Sequence, residues 1–246
     1  MNGRVDDAMM RNRMCLLLAA LLVFAAFGLP AVLGIPAGAT INYNSTDNGP
    51  TRTPSSLTNN RSTITTVVLN AIQQDAHWKA YIGNVTGSLS LQDANTNTIY
   101  NWNAIATPTG KVIASRNGSL TFSTVACAAN TTIAAEMTAM NMSGTDQDSM
   151  ALTFNSTAHT PTVVAGQSLS GCNMTSTFVN NASQGQSNGA TFQEFLMQDA
   201  NANLAYVAII NASKTGYNGK SYDFQMIVPE SNVQAPRTYY FYIELG

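Results

Sequence analysis

Charge is scarce in this sequence. Only 10% of its 246 residues are Asp, Glu, Lys or Arg, against about 25% in ordinary globular domains. No stretch gathers Lys and Arg into a basic patch, which excludes the phosphate-neutralising surface that nucleic-acid binding needs. Histidine is limited to two residues, His77 and His159, and cysteine to three. That supply is too small and too scattered for a zinc site or a Ser–His–Asp arrangement. "GQSLSG" at 166–171 lacks the second glycine spacing of a Gly-x-Ser-x-Gly elbow. These absences point away from enzymes: no catalytic residue, cofactor or metal is expected.

What is present begins with an export address. Arg4, Arg11 and Arg13 precede an unbroken apolar run from Met14 to Gly28, which continues past Pro30 and Pro36 to Ala37-Gly38-Ala39. A basic head, an apolar run and a small-x-small site describe a secretory signal over 1–39, cut between Ala39 and Thr40. The alternative is an uncleaved anchor, since the run nearly spans a bilayer. In either case the chain is expected outside the cell, touching membrane only through this segment if it is uncleaved. No second long apolar run follows.

Solubility must then come from uncharged polar residues, and much of the Asn lies in Asn-x-Ser/Thr acceptor sequences. These occur at Asn44, Asn60, Asn84, Asn117, Asn130, Asn141, Asn155, Asn173, Asn181 and Asn211. That is roughly twice what chance placement gives, and in an exported chain each is a candidate N-glycan site on a loop or turn. Cys15 lies in the signal. The remaining pair, Cys127 and Cys172, is expected to form a disulfide, as paired cysteines in exported chains do.

Residues 40–61 are Asn, Ser, Thr and Pro with almost nothing apolar, a flexible leader. A single domain is expected over 62–246. "STITTVVLNAI" (Ser62–Ile72) is β-branched and apolar and reads as a strand. Period-two alternation follows through "HWKAYIG" and "GSLSLQD". "GKVIASRNGSLTFSTVAC" (Gly110–Cys127) reads as two strands joined across Asn117-Gly118, a strong hairpin signal. "TTIAAEMTAMNM" interrupts with helical character, "SGTDQDS" reads as a loop after it, and "SMALTFNST" reads as strand again. The C-terminal third carries "TFQEFLMQD", "LAYVAIINAS", "KSYDFQMIVPE" and "RTYYFYIEL". The last is apolar on both faces, which suits a central strand. About ten short strands with turn signals between them predict an all-β, antiparallel sandwich or jelly roll with one short helix in an insertion.

Gln-Asp-Ala-Asn-x-Asn appears twice, at 92–97 and 198–203. Asp93, Asn95 and Asn97, like Asp199, Asn201 and Asn203, match the opening of a calcium loop. The Gly and the bidentate Glu that an EF-hand needs are missing, which leaves only weak calcium binding at either turn as an alternative. Asn and Asp accept left-handed backbone and bond their own main chain, so two similar hairpins are the expected structure.

"WKAYIGNVTGSLSLQDANTNTIYNW" (Trp78–Trp102), "GKVIAS", Cys127, "GYNGKSYDFQMIVPE" and "TYYFYIELG" together resemble a set of exported, sequon-rich archaeal cell-surface β proteins. The resemblance covers most of Trp78–Gly246, and Tyr222–Glu230 is its most specific part. It implies an archaeal cell-surface protein and supplies no enzyme activity. Two functions are therefore weighed. One is a glycosylated structural subunit that associates with itself or with other surface proteins in a filament, sheath or lattice. In it, Thr63–Ile72 either completes a neighbour's sheet or is the first strand of its own. The other is a monomeric adhesin or carbohydrate-binding module using Trp78, Trp102 and the Tyr cluster near Tyr239.

Overall fold

In the computed structural model the described residues are 35–42, 45–102, 107–231, 233 and 235–246. The apolar signal run and the sequon at Asn44 lie outside the described residues. The strands, in chain order, are β1 (Ala37–Gly38), β2 (Trp78–Gly83), β3 (Leu89–Gln92), β4 (Thr98–Trp102), β5 (Gly110–Ser115) and β6 (Ala126–Cys127). They continue with β7 (Thr162–Val164), β8 (Gln167–Leu169), β9 (Met174–Ser176), β10 (Gln193–Gln198) and β11 (Leu204–Ile209). The last are β12 (Lys214–Thr215), β13 (Ser221–Tyr222), β14 (Phe224–Pro229) and β15 (Tyr240–Leu245). All strand pairs are antiparallel, and the chain is all-β apart from short helical pieces.

The main sheet runs β1-β15-β5-β11-β10-β6, with β9 also on β10. Its central strands are buried on both faces, which is why "VIAS", "FLM" and "LAYVA" are continuous apolar or small runs rather than alternating ones. Val112, Ala114, Leu196, Tyr206 and Ala208 face one way. The β2–β14 pair covers them through Met226 and Val228, beside Ile133 from a helix. Ile113, Phe195, Met197, Ala205 and Val207 face the other way, under Val164 and Leu169 of the β7–β8 hairpin. This is a sandwich-like stack with an extra cover on its outer face.

Two polar groups pin the layers. Glu194 is fully buried and accepts a hydrogen bond from the Ile227 N–H at 2.8 Å, joining β10 to β14. Glu136, on the helix Asn130–Ala139, receives both Arg116 Nε (2.8 Å) and Arg116 Nη2, together with the Tyr206 hydroxyl at 3.3 Å. Gly110 begins β5 at φ +123°, where an added Cβ would lie 1.9 Å from the Glu244 carbonyl oxygen, so only glycine lets β5 and β15 pair to their ends.

Four expectations are corrected. Ser62–Ile72 is not a strand: it carries no regular structure and its apolar side chains are exposed. Among the described residues no strand edge is paired with it, and an unpaired β-branched run has nothing to bury against. Asn117-Gly118 does not close a hairpin. Neither residue takes positive φ, the Asn117 carboxamide oxygen accepts the Ser119 N–H at 2.8 Å, and β5 pairs instead with β11 and β15. "SMALTFNST" opens as a short helix, Met150–Thr153, because the Ser149 hydroxyl accepts the Leu152 N–H. Finally, β15 is not central, since only the two-residue β1 lies outside it.

Candidate functional site

The repeated Gln-Asp-Ala-Asn-x-Asn stretches form the same turn in two settings. In the first, Asp93 Oδ1 accepts the N–H groups of Asn95 (2.9 Å) and Asn97 (2.8 Å), and Oδ2 accepts Asn97 Nδ2 (2.7 Å). In the second, Asp199 Oδ1 accepts Asn201 N–H (2.9 Å) and Asn203 N–H (3.0 Å), and Oδ2 accepts Asn203 Nδ2 (3.0 Å). Thr96 and Ala202 stand at the left-handed position, φ 67° and 57°. These are three-residue hairpin loops in which the carboxylate replaces missing backbone partners. Both oxygens of each Asp are turned toward N–H donors of their own loop. The Asp93 carboxyl lies below the ordinary range chiefly through Asn97.

The two hairpins are not equivalent. β10–β11 lies in the main sheet, and there Asp199 is buried and also accepts the Thr121 N–H at 3.1 Å. β3–β4 forms a separate two-stranded sheet with every residue exposed. Its cross-strand pairs Leu89–Trp102 and Leu91–Tyr100 set four apolar side chains on one face. Tyr100 and Trp102 meet edge to face at 5.0 Å.

The other aromatics considered for sugar stacking are committed elsewhere. Trp78 Nε1 donates to the Asp148 carbonyl at 2.7 Å and its ring lies 6.1 Å from Phe154. Tyr239 is 8% exposed and its hydroxyl donates to the Pro229 carbonyl. Trp102, 52% exposed, presents its ring to solvent, as does Tyr240 of the Tyr cluster at 48%.

Cys127 and Cys172 are disulfide-bonded, with Cα atoms 4.9 Å apart. The bond ties β6 to the lead-in of β9, the two short strands that share the outer edge of β10. His159 supports that junction. Its ring stacks on Phe195 at 4.5 Å, Nδ1 donates to the Thr160 carbonyl (2.9 Å) and Nε2 accepts the Cys172 N–H (3.0 Å). Burial holds its pKa below the usual imidazole value, which fits one donor and one acceptor nitrogen.

The sequons separate by accessibility. Asn60, Asn84, Asn130, Asn141, Asn155 and Asn181 are exposed, whereas Asn117, Asn173 and Asn211 are half-buried. Asn173 Nδ2 donates to the Phe154 carbonyl and Asn211 Nδ2 to the Thr191 carbonyl, each at 3.0 Å. Those two turn toward the core the nitrogen to which a sugar must be attached. Asn211 also borders a cavity of about 470 Å³ lined by Thr160, Thr191, Gln193 and Lys214, with no carboxylate in its lining.

One cluster was invisible in the sequence. Asp75, His77 and Asp148 each bring a potential ligand atom within 4.8 Å of the others. His77 Nδ1 lies 2.6 Å from Asp148 Oδ2, and the Asp75 carboxylate accepts the His77 N–H at 2.6 Å. The bond to Asp148 raises the His77 pKa and lowers that of Asp148, while burial raises Asp75. The ring of His77 is held by Asp148 and its main chain by Asp75, so the group acts as a clamp on the start of β2. Asp75 and His77 are two residues apart and legible as a pair; Asp148 reaches them only through the fold.

The described residue with the greatest unused apolar surface is not in any cavity. Ile64, Val68 and Leu69 are 101%, 95% and 88% exposed, with Val67 and Ile72 exposed beside them. The segment's side-chain hydrogen bonds are local ones, Asn59 Nδ2 to Thr65 Oγ1 and Thr63 Oγ1 to the Asn60 carbonyl, both 2.8 Å. No helix among the described residues is long and apolar enough to cross a membrane. No protein family, curated protein or solved structure matches this chain.

Proposed function

We propose that this chain is an exported, glycosylated structural subunit of an archaeal cell surface, a non-enzymatic β-sandwich that associates with copies of itself in a filament, sheath or lattice. The observation that carries the reading is the segment Thr63–Ile72, which is uncharged, β-branched and exposed along its length. Burying Ile64, Val67, Val68, Leu69 and Ile72 is worth about 1.5–3 kcal/mol each. A soluble monomer rarely leaves that much contiguous apolar surface open unless a partner covers it. As a strand added to a neighbouring sheet, the segment would satisfy both its side chains and its backbone. Low charge supports the same reading, because few ionic groups must be desolvated when subunits pack, and sugars on the exposed Asn residues would keep the outer surface wet.

The test is negative-stain electron microscopy and intact mass on surface-extracted protein, beside a chain lacking Thr40–Ile72. Ordered polymer of glycosylated subunits, lost in the deletion while its circular dichroism is kept, is the expected result. A dispersed monomer at high concentration rejects self-assembly. One observation favours a second reading, a monomeric adhesin: the adjacent exposed rings of Tyr100 and Trp102. Glycan binding lost on Trp102→Ala with the fold intact would move the assignment there.

A further inference from the structure

The residues expected at the export cleavage site are part of the sheet. Ala37 pairs with Ile243 and Gly38 with Tyr242, and the Ala39 N–H donates to the Phe241 carbonyl at 2.9 Å. Pro36, just before them, is buried. The small-x-small triplet is therefore the strand that covers the outer edge of β15. A peptidase that cuts between Ala39 and Thr40 removes that strand from the chain.

The edge so opened has the character of a strand that expects a neighbour. The Phe241 carbonyl accepts from Ala39 on the β1 side, so by the alternation of an antiparallel ladder Phe241 and Ile243 turn their backbone groups outward, away from β5. Phe241, Ile243 and Leu245 pack against one core cluster and Tyr242 against the other, yet all four stay only half-buried. A strand apolar on both faces is suited to a position with strands on either side. A long unpaired edge of this kind is a template for another chain.

Thr63–Ile72 matches it. Read with period two, Ile64, Thr66, Val68, Asn70 and Ile72 fall on one face and Thr63, Thr65, Val67, Leu69 and Ala71 on the other. Like β15, it has apolar residues on both sides, and it carries no charge to desolvate. It is ten residues long, enough to cover all six residues of β15, where β1 covers two.

From this juxtaposition we infer that Ala37–Ala39 is a removable guard: in the precursor it occupies the outer edge of β15, and after cleavage that edge receives Thr63–Ile72 of a second copy. The inference rests on the self-assembly reading above and adds to it the acceptor strand and the event that opens it. Polymerisation is thereby tied to export, because the uncut chain blocks its own acceptor edge while its donor segment is free.

The test uses a 35–246 chain, which keeps every described residue, with a site-specific protease sequence inserted between Ala39 and Thr40. Light scattering and electron microscopy are followed before and after cutting, with circular dichroism as the check on folding. Monomer before cutting and polymer after it are expected. Deleting Thr63–Ile72 should abolish the polymer, and hydrogen exchange at the Phe241 and Ile243 amides should be fast in that cut deletion and slow in the polymer. Equal assembly before and after cutting overturns the guard and leaves self-assembly standing. No assembly in either state overturns both. Slow exchange at Phe241 and Ile243 in a cut monomer means the segment folds onto its own edge, and overturns the second copy as partner.

Discussion

Replacing Asp199 by Asn keeps the side chain's shape and removes its charge, at a position where four donors converge. Oδ1 accepts Asn201 and Asn203 N–H groups, and Oδ2 accepts Asn203 Nδ2 and Thr121 N–H. Whichever way the amide turns, its NH2 must face two of those four donors. Hydrogen bonds to a charged acceptor contribute about 1.5–3 kcal/mol each, and they are not additive. Asn201 and Thr121 lie at the surface, where water can replace part of what is lost. The expected net cost is about 2–3 kcal/mol, a fall in Tm of roughly 4–12 °C for a chain of this size. The pH dependence gives the reasoning its sign. Burial raises the Asp199 pKa, but the hydrogen bonds from Asn203, Thr121 and Asn201 outweigh it, so the folded value lies below that of an ordinary aspartate. The stabilisation is therefore complete above the unfolded value and disappears as pH falls through the folded one. Urea unfolding of both chains from pH 7 to pH 2 should show the gap full at pH 7 and closing below pH 4. A gap under about 0.5 kcal/mol at pH 7, the surface-substitution range, or one that stays constant to pH 2, would refute the account. Asp93→Asn makes the same change in the exposed β3–β4 turn, outside the main sheet, and should scarcely move global unfolding.

Changing Cys127 and Cys172 to Ser together should cost about 4 kcal/mol, the chain-entropy value for the sequence separation of 45 that the bond closes; denaturant titration in oxidised and reduced protein checks it, and equal midpoints would exclude it. Glu194→Gln keeps an acceptor for the Ile227 N–H and removes an ionisation that burial opposes. Desolvation raises the Glu194 pKa well above the usual value, so the wild-type chain loses stability as pH rises above the unfolded carboxyl value. The Gln variant should lack that decline between pH 4 and pH 7, and an unchanged slope would show that another group causes it. Peptide mapping of native protein should find sugar at several of the exposed Asn60, Asn84, Asn130, Asn155 and Asn181, and none at Asn173 or Asn211; full occupancy of the latter two would mean their inward bonds do not form.

The sequence by itself determined what is local. Turn chemistry travels with the residues that make it, so both Gln-Asp-Ala-Asn-x-Asn turns were legible although their surroundings differ. The helix at Asn130–Ala139 followed from its helix-forming run, the all-β class from alternation and β-branching, and the Cys127–Cys172 bond from there being no other pair. What depends on a partner far along the chain was not legible. Asn117-Gly118 has a hairpin sequence, but β5 finds better partners in β11 and β15. Ser149 turned an expected strand into a helix start by capping it. Asp148 is 71 residues from His77, and no spacing rule joins them. The same limit applies to the candidate interface. The β-branched run at Thr63–Ile72 was plain in the sequence, as was the small-residue triplet at Ala37–Ala39. Only the tertiary structure decided that the first pairs with no strand among the described residues and that the second lies on β15. Strand propensity is a property of a segment, whereas an edge exists only once a sheet has been assembled around it.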